Sequence, residues 1–258
     1  MSLPCNSRLT GAMAALCGLG LAAALLAGCT GAGGQKPAAS SGLAALSAKE
    51  ILSRADAAAA AAGSLHFSST TKAGKSSIIF TDDSASGGGR QDITISDGGK
   101  MTVMVVHSIG YVNGNATALS GFLGIPDMTA VQLAGHWISF TSGDPAYKLV
   151  VNGVTTSSVL SEINPVGTLT KTGPMTVDGQ SVVAISGPAP ASDGMPAGSK
   201  VTVYVAATGR PLPISCLEGS GRNQTRITLS RWGEHVSLAA PRQAIPLPSR
   251  TPSRPVPV

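Results

Sequence analysis

The chain is poor in what most enzymes and nucleic-acid binders rely on. Of its 258 residues only 12% are charged and 3% aromatic (two Trp, three Tyr and four Phe). Histidine occurs four times, at His66, His107, His136 and His235, with no H-x-x-x-H or H-E-x-x-H spacing, so a zinc site is not indicated. No G-x-S-x-G elbow is present. Gly74-Lys75-Ser76 has the end of a phosphate loop, but Ser69 stands where its first glycine belongs. Asp82-Asp83 and Asp97 lack the spaced oxygen series of a calcium loop. Catalytic residues, metal ligands and cofactors are therefore each expected to be none.

Cysteine is equally scarce. Cys5 and Cys17 fall in the first 28 residues, leaving Cys29 and Cys216. The front of the chain carries Arg8 as its one charge, then an apolar run from about Leu9 to Ala27 diluted by Ala and Gly. That order reads as the charged and apolar regions of a secretory signal. A permanent span wants about 20 strongly apolar residues, and no later stretch supplies them. The run ends in Leu26-Ala27-Gly28-Cys29, which resembles a bacterial lipobox. Small side chains before the cysteine suit an extended backbone in a peptidase groove, and the Cys29 thiol is the nucleophile that takes the lipid. With Cys29 lipidated, Cys216 has no disulfide partner and reads as a buried small hydrophobe. Each acyl CH₂ buried contributes about 0.8 kcal/mol, so two or three chains anchor stably. The expected boundaries are a signal at 1–28, an anchored tether at 29–46, a folded domain at 47–240 and a Pro-rich tail at 241–258. The expected location is the extracytoplasmic face of the cell membrane.

The net charge is +5, and from Arg210 onward there are seven Arg against Glu218 and Glu234. Anionic head groups are one partner such an end suits, a solvated tail is the bland alternative, and nucleic acid is not expected of an exported chain.

What remains is a pattern of short elements. Ser47-Ala48-Lys49-Glu50 is a capping box. It opens a helix with Ile51, Leu52, Ala55, Ala59 and Ala62 on one face, and Gly63 is placed to end it. Strands are predicted at Leu65–Thr71, Ser76–Thr81 and Gln91–Ser96, with residues 82–89 as a loop. Asp97-Gly98-Gly99 is a hairpin signal. Met101–His107 is apolar on both faces, Ile109–Val112 follows, and Asn113-Gly114 turns. Short helices are predicted at Ala116–Leu123 and at 127–134, with Asp127 as N-cap and Gly135 past the end. His136–Phe140 is a strand. A helical stretch opens at Asp144-Pro145 and breaks near Asn152-Gly153. A second starts at Thr156 or Ser157 and stops before Pro165. Strands return at 166–172, 176–177, 181–186, 200–207, 212–217 and 224–232, with turns at Asp178-Gly179 and Thr208-Gly209. Residues 241–258 hold six of the seventeen prolines and cannot form a sheet interior.

The order gives an α+β chain with one long antiparallel sheet. A sheet this long must curl, and the N-terminal helix and the helical insertion are what can cover its concave face. The lipobox, the capped helix ending in Gly63-Ser64-Leu65-His66-Phe67, the Tyr111-Val112-Asn113-Gly114 strand end, Trp137-Ile138 and the Val201-Thr202-Val203-Tyr204-Val205…Gly209-Arg210-Pro211 hairpin occur in a fixed order. Together they resemble actinobacterial lipoproteins of the LppX/LprG type, with a LolA-like fold, over roughly residues 47–238. The resemblance implies a half-barrel whose cavity holds lipid or glycolipid acyl chains. It departs from the family in having few aromatics and many Gly and Ala.

Such a site needs concave apolar walls. Candidates from the strands are Ile78, Phe80, Ile93, Ile95, Met101, Val103, Val105, Tyr111, Val203 and Val205. From the helical cover they are Leu119, Phe122, Leu123 and Leu133. Two function classes stay open. One is a lipid-binding or lipid-carrying lipoprotein. The other is a non-enzymatic lipoprotein that partners an envelope protein, a transporter or a cell-wall component.

Overall fold

A computed structural model describes residues 42–73, 76–144, 146–190, 199–220 and 223–247. The signal, Cys29, most of the tether and the end of the Pro-rich tail lie outside the described residues.

The chain opens with a single 3₁₀ turn at Leu43–Ala45 and helix α1 at Ala48–Ala62. The capping box forms as its residues dictate: Glu50 N–H donates to Ser47 Oγ at 3.3 Å, and Ser47 N–H donates to Glu50 Oε2 at 3.0 Å. Gly63 ends the helix at φ 77°, the left-handed conformation that suits glycine. Five antiparallel strands follow: β1 Ser64–Ala73, β2 Ser76–Ala85, β3 Gly88–Ile95, β4 Lys100–Val106 and β5 Ile109–Gly114. Then come α2 Ala116–Leu123, α3 Asp127–Leu133, β6 Trp137–Phe140, α4 Tyr147–Val151 and α5 Thr156–Ile163. The chain returns to strands with β7 Thr170–Val177, β8 Gln180–Pro188, β9 Lys200–Ala206, β10 Pro213–Ser220, β11 Asn223–Ser230 and β12 Ala244–Pro246.

All twelve strands form one sheet in the order β12-β6-β5-β4-β3-β2-β1-β11-β10-β9-β8-β7. Its two ends do not pair, so it is an α+β half-barrel rather than a closed barrel. Two tight turns fix long stretches of register. His107 and Ser108 take φ 50° and 62° between β4 and β5, and Asp178 and Gly179 take 49° and 76° between β7 and β8. Two residues of positive φ match the twist of the strands they join.

Four expectations are corrected. Residues 82–89 are not a loop: β2 runs to Ala85, only Ser86–Gly87 turn, and β3 starts at Gly88. Acidic and small residues suggest loop, yet Asp82 and Ser84 keep the inward phase of Ile78 and Phe80 and are buried. Asn113-Gly114 does not turn the chain but stays paired in β5, and Asn115 redirects it by accepting from Ala118 N–H at 3.0 Å. Asp127 is the first residue of α3, with Pro126 at the cap position, and its carboxylate accepts from the Ser120 hydroxyl. Finally, the sheet is not wholly antiparallel. Ala244–Pro246, read as extended tail, pairs parallel with β6 at the sheet edge, a place where a proline's missing N–H is tolerated.

The concave face carries two apolar clusters. Under α1 and α5 lie Ile51, Ala55, Ala59, Ile163, Val183, Ile185, Val203, Val205 and Cys216. Alanines on the inner face of α1 let it lie close to the strands. Under α2, α3 and α4 lie Ile93, Met101, Val103, Val105, Val112, Leu119, Ile138 and Phe140. Phe80 packs against both clusters. Fully burying each large side chain contributes roughly 1.5–3 kcal/mol, so the clusters hold the fold without a crosslink. The two-faced character of β4 also finds its reason. Met104 and Val106 face outward with Tyr111, and Trp137, Leu238 and Ala244 cover them.

Candidate functional site

Where the two inner clusters meet they do not close. A cavity of about 250 Å³ remains between the sheet and the α4–α5 segment. Its floor is Phe67, Ser69 and Thr71 of β1, Phe80 of β2, Gln91 of β3 and Met101 and Val103 of β4. Glu218 of β10 and Thr225 and Ile227 of β11 extend it. Phe122 and Leu123 of α2, Leu149 and Val150 of α4, Asn152, Gly153, and Val159, Glu162 and Ile163 of α5 form its roof. Leu149 is 51% exposed while lining the cavity, so the space reaches the surface beside α4.

Strand register explains the floor. Phe67 pairs with Asp82, Ser69 with Phe80, Gln91 with Asp82 and Val103 with Gln91, and directly paired residues in an antiparallel sheet share a face. The roof follows from glycine. Gly153 takes φ 70°, and a Cβ there would lie 3.2 Å from Glu162 Oε2, so the bare backbone leaves room for that carboxylate.

Five sequence candidates line the cavity: Phe80, Met101, Val103, Phe122 and Leu123. Ile93, Val105 and Leu119 are buried in the neighbouring cluster, and Ile78, Ile95 and Leu133 pack at its edge. Val203 and Val205 are fully buried beneath α1 and α5. Tyr111 is corrected: it pairs with Met104 and faces outward, while Val112 takes the inward position opposite Val103. The His107–Ser108 turn sets that register, and one residue of phase exchanges the faces.

The polar part of the lining was not anticipated. Burial, together with the charge of Glu218, pushes the Glu162 carboxyl up to about 7. Burial also raises Glu218 above the usual carboxylate range. Behind the floor sits Asp82, 1% exposed, with its Oδ2 lacking a hydrogen-bond partner. Burial pushes Asp82 up to about 8, with smaller contributions from the charges of Asp83, Asp92 and Glu162. The signal for these residues was phase: Gln91 alternates with Ile93 and Ile95, and Glu218 with Cys216.

On the outer face a smaller, charged hollow of about 150 Å³ lies between His66, Asp83, Arg90, Arg231, Glu234 and His235. Asp83 Oδ1 is 2.8 Å from His66 Nδ1 and accepts from Arg231 Nη2 at 3.0 Å, so these side chains engage one another. Cys216 is fully buried and its thiol is pushed up by burial, which makes it unreactive. Among the described residues no group of three or more His, Cys, Asp or Glu is placed to hold a metal, and no helix is long and apolar enough to cross a membrane.

No protein-family description matches the chain, and no curated protein matches its sequence. Solved structures do. The lipoprotein LppX of Mycobacterium tuberculosis is 18% identical, the match covering 75% of this chain and 100% of that one at a TM-score of 0.47. LprF of Mycobacterium bovis is 17% identical over 75% of this chain and 96% of that one, at 0.46. An uncharacterized conserved protein of Thermus thermophilus is 10% identical over 78% and 99%, at 0.43.

Proposed function

We propose that the protein is an exported, lipid-anchored carrier that holds one acyl chain between its sheet and its helical cover, at the outer face of the cytoplasmic membrane. The observation that carries this reading is the cavity itself. A well-packed core of this size leaves few voids larger than a water molecule. Here Phe67, Phe80, Met101, Val103, Phe122 and Leu123 surround an open space. At about 250 Å³ it lies just under the roughly 300–1,000 Å³ of small-molecule sites, which suits a single chain. Met101 adds an adaptable wall. The Cys29 anchor would keep the opening beside α4 within reach of membrane lipid.

The test is extraction. Full-length protein is purified from its native host, extracted with organic solvent, and the extract is quantified by mass spectrometry beside the cavity-filling variants Val103→Trp and Thr71→Trp. The expected result is about one equivalent of a chain-bearing lipid from the wild type and a several-fold loss from both variants. Equal lipid from all three proteins means the lipid comes from elsewhere and overturns the reading.

A further inference from the structure

Five polar side chains on the cavity wall, those of Ser69, Gln91, Asn152, Glu162 and Glu218, have no hydrogen-bond partner among the described residues. Gln91 is 8% exposed and lines the cavity, and its amide makes no hydrogen bond. Glu162 and Glu218 line the same space, and neither forms a salt bridge or accepts a hydrogen bond among the described residues. The wall holds no lysine or arginine among those residues. Two carboxylates beside phenylalanine, methionine and valine lose solvation that nothing in the protein returns. Such unpaired groups are costly in a core but useful toward an occupant that completes them.

The chemistry of that occupant follows from what the wall offers. Both glutamates accept and, when ionised, repel anions. A fatty-acid carboxylate or a phosphate placed there would add negative charge beside two carboxyls whose ionisation burial already opposes. An alcohol would satisfy one acceptor and leave the charge. A primary ammonium carries three N–H donors and one positive charge, and the wall offers acceptors to all three in Glu162, Glu218 and the Gln91 amide oxygen, with Ser69 and Asn152 beside them. Charge-assisted hydrogen bonds of this kind are roughly twice as strong as neutral ones.

We propose that the cavity is selective for a single-chain amphiphile with a primary ammonium head, its chain among Phe67, Phe80, Met101 and Val103 and its head between Glu162, Glu218 and Gln91. This rests on the acyl-chain reading above and adds the identity of the head.

Isothermal titration of the full-length protein with decylammonium and decanoate below their micelle concentrations and decanol below its solubility limit, all at neutral pH, tests both layers separately. The expected order is decylammonium at least tenfold tighter than decanol, with decanoate weakest. Glu162→Gln with Glu218→Gln should remove the preference, bringing decylammonium to within about twofold of decanol in the same double variant. Gln91→Leu should weaken decylammonium by a smaller factor. Equal affinity for amine and alcohol in the wild type, or a preference that survives in the double variant, overturns the head-group assignment while decanol binding leaves the carrier reading standing. If none of the three binds, the carrier reading falls and this proposal falls with it.

Discussion

The hydroxyl of Ser84 lies against both the Asp82 carboxyl and the Val154 carbonyl, the latter at 3.0 Å, and one hydroxyl proton cannot serve two acceptors. Burial resolves the conflict. With Asp82 pushed up to about 8, the carboxyl is protonated at neutral pH and donates to Ser84 Oγ, and Ser84 donates to Val154. The relay ties the floor of the half-barrel to the segment that roofs the cavity.

Asp82 should make stability fall as pH rises. Its carboxyl ionises at 3.8 when unfolded and at about 8 when folded, so the folded state holds the extra proton across that window. A raised carboxyl adds nothing below the lower value and destabilises progressively above it. Asp82→Asn keeps a donor for Ser84 and removes the charge. In urea melts it should match the wild type near pH 4. At pH 8 it should exceed the wild type by at least about 1.4 kcal/mol, the worth of one pKa unit. A difference that does not vary with pH would contradict the relay.

Gly89 should tolerate no side chain. A Cβ there would lie 2.0 Å from the Val154 carbonyl oxygen, whereas one on Gly87 meets nothing within 4 Å. Gly89→Ala should cost about 1–3 kcal/mol, the range of overpacking, and Gly87→Ala should be close to neutral in the same denaturant titration. Equal costs would mean that the α4–α5 segment does not press on β3.

Ser47→Ala removes the side-chain half of a formed capping box, leaving only the backbone N–H of residue 47 to Glu50, and should cost about 1 kcal/mol. Thermal melts followed by circular dichroism check it, and Ser47→Asp should restore most of the loss.

Local chemistry was the legible part. The box at Ser47 and Glu50, Gly63, the Asp178-Gly179 turn and the alternation of Met101, Val103 and Val105 each act within a few residues, and each forms as read. Long-range register was not legible. Tyr111, one of the inward candidates, lies on the outer face, which a two-residue turn of non-glycine residues decides. The pairing of β12 with β6 joins segments more than a hundred residues apart, and no local signal announces it. Asp82, Gln91, Glu162 and Glu218 were passed over for another reason. Polar residues in an apolar phase read as outward or loop positions, so the features that give the cavity its chemistry were those that a hydrophobic pattern hides.

The cavity is best tested by seeing a chain in it. A crystal of the full-length protein grown with 10-bromodecan-1-ol and measured at the bromine edge locates the chain end directly. The account predicts an anomalous peak between Phe67, Phe80, Met101 and Phe122. A cavity filled by collapsed side chains would contradict it, as would bromine found only on the exposed surface of α3 at Met128 and Val131, which are 80% and 67% exposed.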